Sequence, residues 1–433
     1  MKNSKDVSEI TCTCVDFGSF ISLAEKLSET YANVNYFCPI EREFRRFEDA
    51  CIGRGIPGLN KIPSFMDINV IKNTDLWLFP DIGFDSEQKY LKSLGKPVFG
   101  SMGADIYERL RTLFIETVEE VGLPMVPSKT IKGVPALRDY LKTVKNKWVK
   151  INEFRDNVET WHHEDYAHSV PMLASLSVMF GDANWVVFVV QDALDGATEI
   201  GYDGWCIDGW FPNSSFNGYE SKNEAYLGAQ CDYDDLPEEL RTVNEKFSKV
   251  LGEYGYRNFI ATEIRNLDGI PYFIDPTLRM PGQTGEQLLE TMDNMPEVIW
   301  KGAQGEFVQP KWNAKFAGSA TLNYKGDCDG EKVITVSKKS KQWVKLCRYG
   351  RWGGDYHFPA NPRTDTGVVI GMADTIEDTI SAIKDNFNEI GDKSVSIKEE
   401  SFVELLKEIK KAQDEGIKFT DQKIPSPNIL LNG

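Results

Sequence analysis

Glu263, Asp275, Thr277 and Arg279 have the residue types and the spacing to do chemistry together. Across residues 259–265, Phe259, Ala261, Glu263 and Arg265 share one strand face, and Ile260, Thr262 and Ile264 share the other. Asp268-Gly269 signals a turn, and residues 272–275 read as the return strand. The two carboxylates share a face only if residue 263 lies opposite 273 or 275. A two-residue loop at Asp268-Gly269 would set 263 opposite 274, so a three-residue loop, 267–269 with Gly269 left-handed, is the expectation. Two carboxylates in one cleft repel unless a cation lies between them. Mg²⁺, or Mn²⁺ in its place, suits such oxygen ligands and is usually shared with nucleotide phosphates. Thr277 and Arg279 extend the line at steps of two, and the guanidinium would reach the same phosphates. An exposed hairpin with ordinary surface charges has the same spacing.

The elements that must position these residues lie on both sides. Residues 105–121 form one amphipathic helix in this reading, with Asp105 and Glu108 as a capping box and Gly122 and Pro124 as the stop. Arg111 falls off its apolar stripe. A strand at 125–130, a helix over 134–143 and a strand at 147–151 follow. Lys150, inside that last strand, is either a phosphate ligand or an edge lysine that snorkels to water. His162, His163 and His168, three of four histidines, leave a zinc site with Glu164, a lid over the cleft and a plain surface all open. A buried strand over 185–191 runs into DALDGATEIGYDGW, and a helix over 237–254 leads back to the hairpin. Lys222 is a weaker candidate ligand.

At 433 residues, 41% hydrophobic and 27% charged, the chain is long enough for several compact domains of a globular protein. A formal charge of −17 argues against nucleic acid as a partner. The one basic run, KKSKQWVK at 338–345, reads as a solvated strand edge. No run of 18 apolar residues exists and the N-terminus lacks an apolar signal core, so no membrane partner and a cytoplasmic location are expected. Eight scattered cysteines without metal spacing read as free thiols. Residues 1–100 alternate strand and helix, which implies a small parallel sheet. Its loops DFGS (16–19) and PDIGFD (80–85) either take a small ligand or are structural.

The run Glu263, then Asp275, Thr277 and Arg279, resembles the metal-binding segment of the ATP-grasp ligases. That segment reads E-x-N-x-R in the family and D-x-T-x-R here. The helix, the GLP stop and the lysine strand resemble the family's small lobe, with Arg111 and Lys150 where relatives hold phosphates. Gln191, Asp192, Ala193 and Leu194 correspond to the hinge that brackets adenine, and Glu199 to the ribose acid. The family's glycine-rich phosphate loop would fall at 152–166, which has no glycine.

The tail, with residues 365–390 as a strand and a Thr375-capped helix, resembles phosphoribosylamine–glycine ligases. The glycine-rich first turn of that group reads DFGSF here, and its substrate loop reads PDIGFDSEQ. The resemblance implies a multidomain α/β and α+β fold: an N-terminal parallel α/β domain (1–100), a two-lobe ATP-grasp body (101–310, small lobe about 125–195) and a small C-terminal α+β domain (311–433). It further implies ATP and Mg²⁺, small-molecule carboxylate and amine substrates, a monomer or homodimer, and catalysis through Arg279, with Arg265 clamping the carboxylate. A different amine acceptor, or an ATP-binding protein without turnover, keeps the same fold.

Overall fold

The computed structural model describes residues 5–40, 44, 51–153, 160–181, 184–327, 330–360 and 363–426. The N-terminal stretch forms a five-stranded parallel sheet of β1 (Thr11–Val15), β2 (Asn33–Phe37), β3 (Leu59–Lys61), β4 (Leu76–Leu78) and β5 (Val98–Phe99). Its order is β3-β2-β1-β4-β5. Both faces of a parallel sheet are covered, which is why β4 reads Leu-Trp-Leu and is wholly buried. The order changes direction between β1 and β4, so the loops after these two strands meet at a topological switch point.

A four-stranded antiparallel sheet comes next, built from β6 (Ser128–Lys132), β7 (Lys147–Ile151), β8 (Thr160–His163) and β9 (Val187–Asp192) in the order β6-β9-β7-β8. Val149, Ile151, Phe188 and Val190 bury one face of it against Leu137 and Leu173 from the helices Val134–Leu141 and Tyr166–Phe180.

The largest sheet begins with β10 (Thr198–Ile207), β11 (Ser214–Ser221), β12 (Ala225–Asp232), β13 (Arg257–Leu267) and β14 (Ile270–Thr277). They run in the order β14-β13-β10-β11-β12, and β15 (Phe316–Tyr324) pairs antiparallel with β12. The strands Asp365–Ala373 and Val344–Leu346 extend the sheet further, so the C-terminal stretch continues the sheet that carries the candidate residues. On β13 the even-numbered residues from Asn258 to Asn266 are buried, Ile260 and Ile264 against Val243 and Phe247 of the helix Glu238–Tyr254. Ala261, Glu263 and Arg265 face the opposite way.

The hairpin reaches the expected pairing by a different route. Leu267 pairs with Ile270, so the turn is the two residues Asp268 and Gly269, both at positive φ (51° and 79°). That pairing alone would set Glu263 opposite Ile274. A β-bulge between Glu263 and Ile264 restores the parity, and Glu263 lies opposite Asp275. The expected three-residue loop does not form.

The expected helix over 105–121 is also two helices, Ile106–Arg109 and Arg111–Glu120, broken where Leu110 turns extended (φ −118°, ψ 96°). The break is tolerated because Asn152 receives the freed amides: its carbonyl accepts from Arg111 N at 3.3 Å and its Oδ1 from Thr112 N at 2.8 Å. The capping box is absent, because Asp105 accepts from Gly83 N and Ser101 Oγ while Glu108 turns towards Arg279. The basic run 338–345 is a solvated edge only in part: Lys338 and Lys339 are exposed, but Lys341 and Lys345 are not. Lys345 is buried against Glu290 at 2.5 Å, and Lys341 meets Glu25 at 2.6 Å. These pairs join the helix Ile21–Leu27 and residues near 290 to the C-terminal stretch.

Candidate active site

The exposed face of β10 and β13 floors a cleft of about 720 Å³. Glu199, Arg265, Glu263, Asp275, Thr277 and Arg279 all line it, while Trp148 and His162 come from the four-stranded sheet and Leu194 from the connection between the two sheets. Strand register explains the gathering. Glu199 lies opposite Arg265 and Gly201 opposite Glu263, so three carboxylates occupy neighbouring rungs of one face. The floor is bare at Gly201, where a Cβ would meet nothing nearer than the Gly218 carbonyl at 3.5 Å.

Electrostatics set the character of this face. Burial pushes the Glu263 carboxyl well above its usual range, and the Glu199 and Asp275 carboxylates add to the shift. A divalent cation would relieve that repulsion. Among the described residues no three His, Cys, Asp or Glu side chains gather as a metal site. Glu263 and Asp275 lie opposite each other on one rung, and two carboxylates are a number Mg²⁺ uses when phosphates and water complete its shell. Lys150 is pushed down to about 8, first by burial and then by the Arg111 charge, with Asp275 and Glu263 pulling the other way. Arg111 is buried and donates from Nε to the Ile151 carbonyl at 3.1 Å.

Two candidates engage each other. The Arg265 guanidinium donates to Glu199 Oε2 from Nε at 2.9 Å and from Nη2 at 2.7 Å, so it is held by the expected ribose acid and is not a free clamp for a substrate carboxylate. Arg279 is fixed by Glu108, whose spacing from Asp105 is that of a capping box. Glu108, 2% exposed, accepts from Arg279 Nε at 3.0 Å and from Leu278 N at 2.9 Å. Asp203 was also missed, although it continues the two-residue step from Glu199 along β10. It is buried and accepts from the Tyr226 hydroxyl at 2.8 Å.

The hinge residues divide. Leu194 lines the cleft, Gln191 is buried on β9, Asp192 pairs with Lys147 at 2.5 Å, and Ala193 follows at the strand end. The three histidines do not converge, which removes the zinc option. His162 stacks near Trp148 (centroids 5.0 Å apart) and bonds Asn146, His163 is buried between Ser169 and the Val144 carbonyl, and His168 sits on Asp165. Lys222 lines the cleft. Residues 154–159, within the stretch where the family's phosphate loop would fall, lie outside the described residues.

Neither a family model nor a curated protein sequence matches the chain. Its fold is that of the ATP-grasp enzymes, and many solved structures share it at low sequence identity. One is phosphoribosylamine–glycine ligase from Thermotoga maritima, at 13% identity and a TM-score of 0.65, covering 90% of this chain and 98% of that one. The biotin carboxylase domain of 2-oxoglutarate carboxylase from Hydrogenobacter thermophilus matches at 11% identity and a TM-score of 0.64, covering 94% and 96%. L-amino acid ligase from Bacillus licheniformis matches at 14% identity and a TM-score of 0.55, covering 88% and 98%.

Proposed function

We propose that this protein is an ATP-dependent carboxylate–amine ligase that works through an acyl-phosphate intermediate. The observation that carries the reading is the facing pair Glu263 and Asp275, set beside Arg279 in one cleft of an ATP-grasp fold, with Lys150 near enough for both carboxylates to act on its charge. Glu263, Asp275 and the Thr277 hydroxyl would hold Mg²⁺, which supplies charge neutralisation to the transferring phosphoryl group. Lys150 and Arg111 bring positive charge to the phosphate end, and Trp148, His162 and Leu194 offer flat and apolar surface for a base.

In the proposed reaction a substrate carboxylate attacks the γ-phosphorus of ATP and ADP leaves. Arg279, held in place by Glu108, stabilises charge on the equatorial oxygens. An amine then attacks the acyl carbon and phosphate departs. No protein nucleophile takes part.

For the acceptor, the loop after β1 favours an amine other than phosphoribosylamine. Two of its amides are occupied from within, since Asp16 accepts from Gly18 N at 2.9 Å and from Phe20 N at 2.6 Å, and those two are not open to a sugar phosphate. The test is ADP release from Mg²⁺-ATP across a panel of amino acids, each with and without phosphoribosylamine, beside D275N. Release that needs glycine and phosphoribosylamine together would return the assignment to the purine ligase. ATP binding with no release from any pair would favour a binding protein without turnover.

A further inference from the structure

Beyond Arg279 the chain reaches the switch point of the N-terminal sheet, and two charged side chains there have no ion-pair partner among the described residues. Loops at the carboxyl ends of parallel strands part where the strand order reverses, and the crevice between them is where such sheets take ligands. Here those loops follow β1 and β4. Met280 N donates to the Pro80 carbonyl at 2.8 Å, which seats the crevice directly after Arg279. The C-terminal stretch closes the other side. Arg348 N donates to the Gly18 carbonyl at 2.7 Å, and a Cβ on Gly18 would lie 3.4 Å from Arg348 Cγ.

Asp81 belongs to the loop after β4. It is 8% exposed, and among the described residues its Oδ1 accepts only from the adjacent Ile82 N at 2.8 Å. Among the described residues no cation reaches it within ion-pair distance, although Arg279 and Arg348 both lie near enough to oppose the rise that burial imposes on its carboxyl. The Arg348 guanidinium likewise bonds no described side chain or carbonyl. Its backbone is left-handed (φ 54°), a conformation that costs an arginine about 1–2 kcal/mol and that recurs at binding sites. A buried carboxylate and a nearby guanidinium that do not pair with each other are arranged for a ligand carrying both charges. In the β1 loop the Gly18 and Phe20 amides and the Tyr36 hydroxyl are all taken by the fully buried Asp16.

We propose that this crevice binds an α-amino acid as the amine substrate, its ammonium on Asp81 and its carboxylate on Arg348. The proposal rests on the ligase reading above and names its acceptor class. On binding, the ammonium passes one proton to Asp81 and becomes a free amine. The nitrogen lone pair forms the C–N bond as the bond from the acyl carbon to the phosphate oxygen breaks. The second proton leaves the nitrogen with the departing phosphate.

The test is calorimetric titration of the full chain, with Mg²⁺ and the non-hydrolysable analogue AMP-PNP present, against each of the twenty L-amino acids and against ribose 5-phosphate. Saturable binding of one amino acid or a related group is expected, weakened at least tenfold in D81N and in R348M, with AMP-PNP affinity within twofold of wild type. Three results would overturn the proposal: no amino acid binds although AMP-PNP does, both variants bind the amino acid as wild type does, or ribose 5-phosphate binds and R348M abolishes it. Amino-acid binding that both variants weaken, in a protein that does not take AMP-PNP, would uphold the crevice and defeat the nucleotide reading instead.

Discussion

Replacing Glu108 with glutamine tests whether Arg279 acts as a positioned charge. Glu108 is buried and accepts two bonds, from Arg279 Nε at 3.0 Å and from Leu278 N at 2.9 Å. Glutamine keeps the volume but has one acceptor oxygen, so one donor loses its partner and the guanidinium loses its counter-charge. A hydrogen bond to a charged group contributes about 1.5–3 kcal/mol, and the loss falls on the placement of Arg279. If Arg279 acts mainly on the transferring phosphoryl group, about 2.7 kcal/mol appears as a fall in kcat of about 10²-fold. The KM for ATP should stay within about twofold, because ground-state binding rests on other residues. Steady-state ADP release gives both constants, AMP-PNP titration checks that the cleft is intact, and E108D should recover part of kcat. An unchanged kcat in E108Q would refute the reasoning. A parallel loss of kcat and AMP-PNP affinity would show that Glu108 holds up the fold and not Arg279 alone.

Lys150, with its ammonium pushed down to about 8, is charged below that pH and neutral above it. AMP-PNP affinity should therefore fall as pH rises from 7.5 to 9.5, by up to about tenfold per unit above pH 8, and K150M should bind weakly with no such slope. A wild-type profile that stays flat across that range would remove Lys150 from the phosphate site. Glu286 is 5% exposed, has an orphaned oxygen and is raised to about 8 from 4.5, chiefly by burial. Between those values folding takes up a proton, so stability falls as pH rises through that window, and E286Q should melt higher than wild type by about 2 °C or more at pH 8, with less difference at pH 5. A lower melting temperature for E286Q at pH 8 would contradict this. Gly269 sits at φ 79° in the hairpin turn, and G269V should destabilise the protein by about 1–2 kcal/mol in urea unfolding. Unaltered stability would mean that the two-residue turn does not set the register.

Period-two patterning made the hairpin faces legible, because Ile260 and Ile264 can only be buried if Glu263 and Arg265 look the other way. The turn that achieves the pairing was not legible. A bulge leaves no residue-type signature here, and both the three-residue loop and the bulged two-residue turn bring Glu263 opposite Asp275. Asp203 could have been found by continuing the step from Glu199. Glu108 could not, since a glutamate three residues after an aspartate is what a capping box looks like, and only the approach of Leu278 and Arg279 from a distant stretch decides otherwise. The same holds for the Arg265–Glu199 pair, whose partners are 66 residues apart. In the basic run at 338–345 the burial of Lys345 and Lys341 was not legible, because Glu290 and Glu25, which neutralise them, come from elsewhere in the chain.

The central claim is the activation of a carboxylate by ATP at Glu263 and Asp275. Hydroxylamine tests it without the natural amine, since it traps an acyl phosphate as a hydroxamate. The protein is incubated with Mg²⁺-ATP, hydroxylamine and a panel of amino acids and small carboxylic acids, and hydroxamate and ADP are measured together. Equal amounts of the two from at least one acid, and neither from D275N, is the result predicted. Nucleotide binding with no hydroxamate from any acid, or equal hydroxamate from D275N, would contradict the account.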